Sequence, residues 1–215
     1  NEITKRQDAV RRCISEAYEC EKIAIEKIKH FVSKEAFNID GFGKKIVENF
    51  WNLKLIKLPQ DIFNLDYVKI EKLEGWGKLS VANLKYSIEE KKIIPLDRFI
   101  YALGIRHIGQ ENAKLIARHL KTPINFLKLS DNKNIESLSN IDGIGSTQIQ
   151  SIKNFFLNKT NLSVLSELEK NLKIQNMLLI NNKGLLNNKT FMLTGKLNGI
   201  SRAEAKSLIE QNSGK

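Results

Sequence analysis

Ile39-Asp40-Gly41-Phe42-Gly43 decides the reading of this chain, because the pattern recurs. Leu73-Glu74-Gly75-Trp76-Gly77 is a second copy, and Ile141-Asp142-Gly143-Ile144-Gly145 is the last. Between them lies a degenerate copy, Ile105-Arg106-His107-Ile108-Gly109, with His107 where the others carry glycine. The closing glycines stand at 43, 77, 109 and 145, in steps of 34, 32 and 36 residues. A period of this size marks one supersecondary unit used repeatedly.

Helix-like patterns surround each copy. Lys44 to Leu53 places Ile46 with Phe50, and Val47 with Trp51, four residues apart. Lys78 to Glu90 carries a stripe of Val81, Leu84 and Ile88, and Gln110 to Leu120 buries Ala113, Ile116, Ala117 and Leu120. After the fourth copy, Ile149, Ile152 and Phe156 line another helix. Upstream, Glu21 to Val32 reads as a helix, and Ser33 as the cap of a short helix at Lys34 to Phe37. Pro59 suits a turn or a first helical position, Pro95 precedes a helix from Leu96 to Leu103, and Thr122-Pro123 is a cap followed by an N1 proline. Each glycine pair therefore sits in a turn between two helices.

Such a turn is suited to anions. Glycine lets the backbone approach a ligand closely. The first N–H groups of the following helix lack partners within it, and the helix dipole makes that end electropositive. The residues beside the turns extend the pattern: Lys44 and Lys45, Lys78, Arg106 and Gln110, then Ser146 and Thr147. The candidate phosphate-binding set is therefore Gly41, Gly43, Lys44, Lys45, Gly75, Gly77, Lys78, Arg106, His107, Gly109, Gln110, Gly143, Gly145, Ser146 and Thr147. These groups would hold a nucleic-acid backbone without reading its bases.

Composition agrees. The chain has 215 residues and a formal charge of +11, from 35 Lys and Arg against 24 Asp and Glu. That excess suits a polyphosphate partner, and its spread along the chain argues against a membrane anchor. No apolar run is long enough to span a bilayer. The polar start, Asn1 to Gln7, suggests a fragment of a longer protein.

Cys13 and Cys20 are the two cysteines. They are too few for a disulfide scaffold, which points to a reducing compartment. They are either free thiols or half of a four-ligand zinc site. At the other end, an Asn-rich stretch from Asn181 to Asn188 reads as a linker after a helix at Leu162 to Leu172. Thr190-Phe191-Met192-Leu193 reads as a buried strand ending in Thr194-Gly195, and Ser201 with Glu204 as a capping box on a helix from Arg202 to Gln211.

Several stretches resemble one family: Lys29-His30-Phe31-Val32-Ser33-Lys34, Asn38 to Gly43, Ala102-Leu103-Gly104-Ile105-Arg106-His107-Ile108-Gly109, and Thr190 to Gly195. They are similar to the C-terminal half of bacterial NAD-dependent DNA ligases, and the third stretch is the most specific. The resemblance implies a mainly α fold of four tandem helix-hairpin-helix repeats. Half a zinc finger would precede them, and a truncated α/β BRCT start would follow. The implied segments are 1–22 for the end of the finger, 23–160 for the DNA-binding repeats, 161–188 for a helix and linker, and 189–215 for the incomplete BRCT domain.

The same resemblance implies that Cys13 and Cys20 are the last two ligands of a four-cysteine zinc site. It implies a cytoplasmic, nucleoid-associated bacterial enzyme, acting as a monomer, that seals nicks in duplex DNA in replication and repair. NAD and magnesium would be bound outside this chain. No lysine here lies in a Lys-x-Asp-Gly motif, so no catalytic residue is assigned and the chain alone is expected to be inactive. The alternative is a stand-alone helix-hairpin-helix module of a repair or recombination protein.

Overall fold

Asp40, Glu74, Arg106 and Asp142 occupy the second position of four turns built alike. In each, the N–H of the fourth residue donates to the carbonyl of the first: Phe42 to Ile39 at 3.2 Å, Trp76 to Leu73 at 3.1 Å, Ile108 to Ile105 at 3.1 Å, Ile144 to Ile141 at 3.0 Å. The third residue has positive φ: 78° at Gly41, 80° at Gly75, 62° at His107 and 90° at Gly143. A turn of this kind requires that conformation at its third position.

A computed structural model describes residues 2–3, 12–13, 18–177, 184–195, 197–200 and 202–214 of the chain. The elements, in order, are β1 (Glu2–Ile3), β2 (Arg12–Cys13), α1 (Glu21–Val32), α2 (Lys44–Asn52), α3 (Tyr67–Glu71), α4 (Lys78–Glu90), β3 (Ile93–Pro95) and α5 (Leu96–Ala102). They continue with α6 (Gln110–Leu120), α7 (Pro123–Leu127), α8 (Asn132–Ile135), α9 (Ser146–Leu157), α10 (Lys159–Asn171), β4 (Lys173–Gln175) and α11 (Arg202–Gln211). A 3-10 turn at Pro59–Asn64 precedes α3, and another at Glu136–Asn140 precedes the fourth glycine turn.

The expected helices form where apolar spacing and caps agree. α4 buries Val81, Leu84 and Ile88, and α6 buries Ala113, Ile116, Ala117 and Leu120. The Thr122 hydroxyl oxygen accepts from Asn125 N at 3.3 Å, and Pro123 starts α7 where its missing N–H costs nothing. Asp66 caps α3 by accepting from Lys69 N at 3.1 Å. That bond holds the Asp66 carboxyl below its ordinary range, with Lys69's side chain assisting.

The turns pack in two pairs. Phe42, the apolar centre of the first turn, meets Phe50 of α2 edge-on at 5.5 Å, and Phe50 meets Trp76 of the second turn at 5.4 Å. Phe31, Phe37 and Phe63 form a second group of rings in the same core. In the second pair, Phe126 joins Phe99 to Phe156, and Phe156 meets Phe155. Truncating any one of these buried rings removes about 3–5 kcal/mol.

Three sequence expectations differ from the fold. Lys34 to Phe37 is a turn and not a helix. Ser33 ends α1, its N–H donating to His30 O, and Phe37 N reaches back to Phe31 O. Thr190 to Leu193 is neither strand nor buried: Phe191 and Met192 are exposed, and among the described residues no strand pairs with the segment. Third, β4, in the stretch 161–188 read as a helix and linker, forms a parallel pair with β3, Ile93 opposite Lys173 and Pro95 opposite Gln175. Ser201 and Asn181 to Lys183 lie outside the described residues.

Candidate nucleic-acid interface

Every residue of the candidate set is exposed. The apolar residue inside each turn faces the other way: Phe42, Ile108 and Ile144 are buried, and Trp76 packs partly against the core. The turn is thus anchored from below and open above. Each closing glycine is the N-cap of the next helix, with extended backbone (φ −70° at Gly43, −107° at Gly77, −81° at Gly109, −97° at Gly145). Its carbonyl accepts the first helical bond, from Val47, Val81, Ala113 and Ile149.

The two glycines of a turn have different reasons to be glycine. Gly41, Gly75 and Gly143 need positive φ. Gly43, Gly77 and Gly109 do not, and a Cβ on any of them would meet no atom within 4 Å. Neither backbone nor packing calls for glycine there. Glycine there leaves the outer side of the turn as bare backbone.

The N-cap amides are not equivalent. Gly77 N donates to Ser80 Oγ at 2.9 Å, and Gly145 N to Gln148 Oε1 at 3.2 Å. Among the described residues, Gly43 N and Gly109 N have no such partner. Ser80 and Gln148 sit three positions after their glycines, a capping-box spacing that marks them in the sequence.

The third turn is held differently. His107 takes positive φ without being glycine, at a cost of about 1 kcal/mol or more. Asn112 Nδ2 donates to His107 O at 3.1 Å, and His107 Nδ1 lies 3.0 Å from Ser151 Oγ on α9. Ser151 already donates its hydroxyl hydrogen to Thr147 O at 2.9 Å. It therefore accepts from His107 Nδ1–H. This contact ties the third turn to the helix of the fourth. Leu115 of α6 returns it, its Cδ1 lying 3.2 Å from where a Cβ on Gly143 would sit. Asn112 and Ser151 have no motif that singles them out in the sequence.

Charge around the turns is uneven. Lys44, Lys45 and Lys78 are cationic at the starts of α2 and α4. Glu48 on α2 is held low by Lys29 at 2.6 Å, with a contribution from Lys45. The first turn of α6 carries an acid, Glu111, while those of α2, α4 and α9 carry none.

Cys20 is a half-buried free thiol at the N-cap of α1, and Cys13 lies in β2, paired to β1 at Glu2. Among the described residues no group of three or more His, Cys, Asp or Glu could hold a metal. No described helix is long and apolar enough to cross a membrane.

The glycine turns of this mainly helical chain open outward at helix N-termini, and residues 98–165 match the helix-hairpin-helix motif family. By sequence the chain is similar to bacterial DNA ligases. It is 84% identical to a DNA ligase of Pelagibacter ubique across all of its length, which is 32% of that protein. It is 42% identical to a DNA ligase of Wolbachia pipientis over 93% of this chain and 31% of that one. With a DNA ligase of Rickettsia bellii it shares 40% identity over 95% of this chain and 31% of that one. The chain thus spans about a third of the length of the relatives it matches.

Proposed function

We propose that this chain is the duplex-gripping part of an NAD-dependent DNA ligase. All four turns act as helix-hairpin-helix units on backbone phosphates, without reading sequence, and the chemistry of nick sealing takes place elsewhere in the enzyme. The observation that carries this reading is the bare outer side of Gly43, Gly77 and Gly109, beside exposed Lys44, Lys45 and Lys78. A phosphate oxygen can reach the N-cap amides of Gly43 and Gly109, which have no partner among the described residues, and the helix dipoles favour its charge. Hairpins paired two by two would meet both strands of one duplex, and a single copy of the chain is enough for this.

No residue of the chain is assigned to NAD, magnesium or adenylate transfer. The two thiols, Cys13 and Cys20, do not make a zinc site by themselves, since a closed tetrahedral site needs four ligands and the described residues supply no others. A nucleoid location is part of the same proposal.

Duplex affinity measured against salt tests the reading. Log K should fall linearly with log salt, by about 0.9 per phosphate neutralised, with several such contacts. The chain incubated with NAD, magnesium and nicked duplex should form no adenylated product. A flat salt response would remove the DNA reading, and adenylation would overturn the assignment of chemistry elsewhere.

A further inference from the structure

Helix α11 lies across α5 and α6 with its acids turned toward them. Glu204 Oε1 is 2.9 Å from Arg98 Nη1 and 3.1 Å from Lys91 Nζ. Glu210 pairs with Lys114, and its Oε2 is 3.6 Å from Arg118 Nη2. Arg98 makes this more than a set of surface pairs. It is 8% exposed, and its Nη2 donates to the carbonyls of Lys34 and Ala36. A buried guanidinium needs a carboxylate, and among the described residues Glu204 is the one within 4 Å. Nearby, Asn212 O accepts from Leu186 N at 2.9 Å and Ser213 Oγ from Gly184 N at 3.1 Å, which fastens the end of α11 to the segment before it.

Between the two acids stands Lys206. Its Nζ is 3.5 Å from Glu111 Oε1 and 3.9 Å from Glu210 Oε1, and its side chain is 60% exposed. Glu111 is the acid in the first turn of α6, beside Gln110, where an anion would otherwise be favoured. A carboxylate at that place repels phosphate, and a cation over it cancels the repulsion.

We propose that α11 is a docked arm that completes the third hairpin: Glu204 and Glu210 seat it on the basic face of α5 and α6, and Lys206 then offsets Glu111 and gives duplex phosphate the cation that the first turn of α6 lacks. The seating stands on the ion pairs alone, while the role of Lys206 rests on the duplex reading above. Lys91, Arg98, Lys114 and Arg118 then serve as a joint between segments and are withdrawn from the DNA track.

Two measurements on the 215-residue chain test this. Amide exchange of residues 202–211 reads the seating without DNA. Protection should be present in the unaltered chain and fall about tenfold in E204Q/E210Q, as expected for loss of about 1.4 kcal/mol of local stability. Equal exchange in both proteins would overturn the docking. Duplex affinity of K206Q reads the second half, with a short blunt duplex at low salt as the probe. Affinity should drop about threefold in the otherwise unaltered chain and stay unchanged when E204Q/E210Q is already present. An equal drop in both backgrounds, or no drop in either, would overturn the coupling. If no duplex bound at all, the functional reading and the role of Lys206 would fall together, with the exchange result still deciding the seating.

Discussion

His107 on the third turn and Ser151 on α9 are joined by a 3.0 Å hydrogen bond in which the imidazole donates. One hairpin is thereby fixed to the helix of the next through side chains standing on the outward face. The bond also supports a non-glycine residue at positive φ, 62°. Ser151→Ala should leave stability within about 1 kcal/mol, the usual worth of one partly exposed hydrogen bond. It should weaken duplex binding a few-fold, because the third and fourth turns would no longer keep a fixed separation. Chemical denaturation with duplex titration checks both, and unchanged binding would mean that the bond does not position the turns.

The two classes of glycine should respond in opposite ways. Gly43→Ser, Gly77→Ser and Gly109→Ser place a good N-cap at extended backbone with open space around Cβ. The triple variant should be as stable as the parent and bind duplex at least about tenfold more weakly, from three blocked approaches. Gly41→Val and Gly143→Val should instead lower stability by about 1–3 kcal/mol each, since a β-branched residue is strained at positive φ. Thermal melts separate the two sets.

Asp97 supplies a pH signature. Burial pushes its carboxyl above the ordinary 3.8, against the pull of the Arg98 N–H and the Lys114 charge. The folded chain therefore holds this proton more tightly than the unfolded chain does. Its contribution favours folding at acid pH and is lost as pH rises through and above that ordinary value. Asp97→Asn should gain stability relative to the parent as pH goes from about 4 to 7, read from urea midpoints. A difference that does not change with pH would mean that burial does not govern this group.

Phe126, 1% exposed, joins the ring of Phe99 at 6.3 Å to that of Phe156 at 5.5 Å. Phe126→Ala should cost about 3–5 kcal/mol. Thr122→Ala, which removes only the cap of the same helix, should cost about 1 kcal/mol. Guanidinium titrations of both distinguish core from cap.

The parts of the fold legible in the sequence are those fixed by neighbours along the chain. The four Gly-x-Gly-type turns and the helices that follow them depend on spacing and caps, and the helix starts at Lys44, Lys78 and Gln110 fall where the sequence places them. Lys34 to Phe37 misled because Ser33 is as good an end as a start, and Phe37 N is bonded backward to Phe31. Thr190 to Leu193 has the composition of a strand, but a strand needs a partner, and the described residues offer it none. β3 and β4 could not be seen at all: each has three residues, and their pairing is decided by where α5 and α10 come to rest. In the site, the exposed glycines and cations carried their own signal. Asn112 and Ser151 did not, because their roles depend on a turn elsewhere in the chain.

That pairing of β3 with β4 has a mechanical meaning. Residues 93 and 173 are stitched together, and Lys173 N also donates to Lys92 O at 2.7 Å. α10, just before the stitch, rests on the Pro59–Asn64 turn of the first pair. The last helix of the array is thus folded back as a strap over its beginning. An open row of repeats melts from its ends and can grow by adding units. This row is fastened back on itself, so it should unfold in one step.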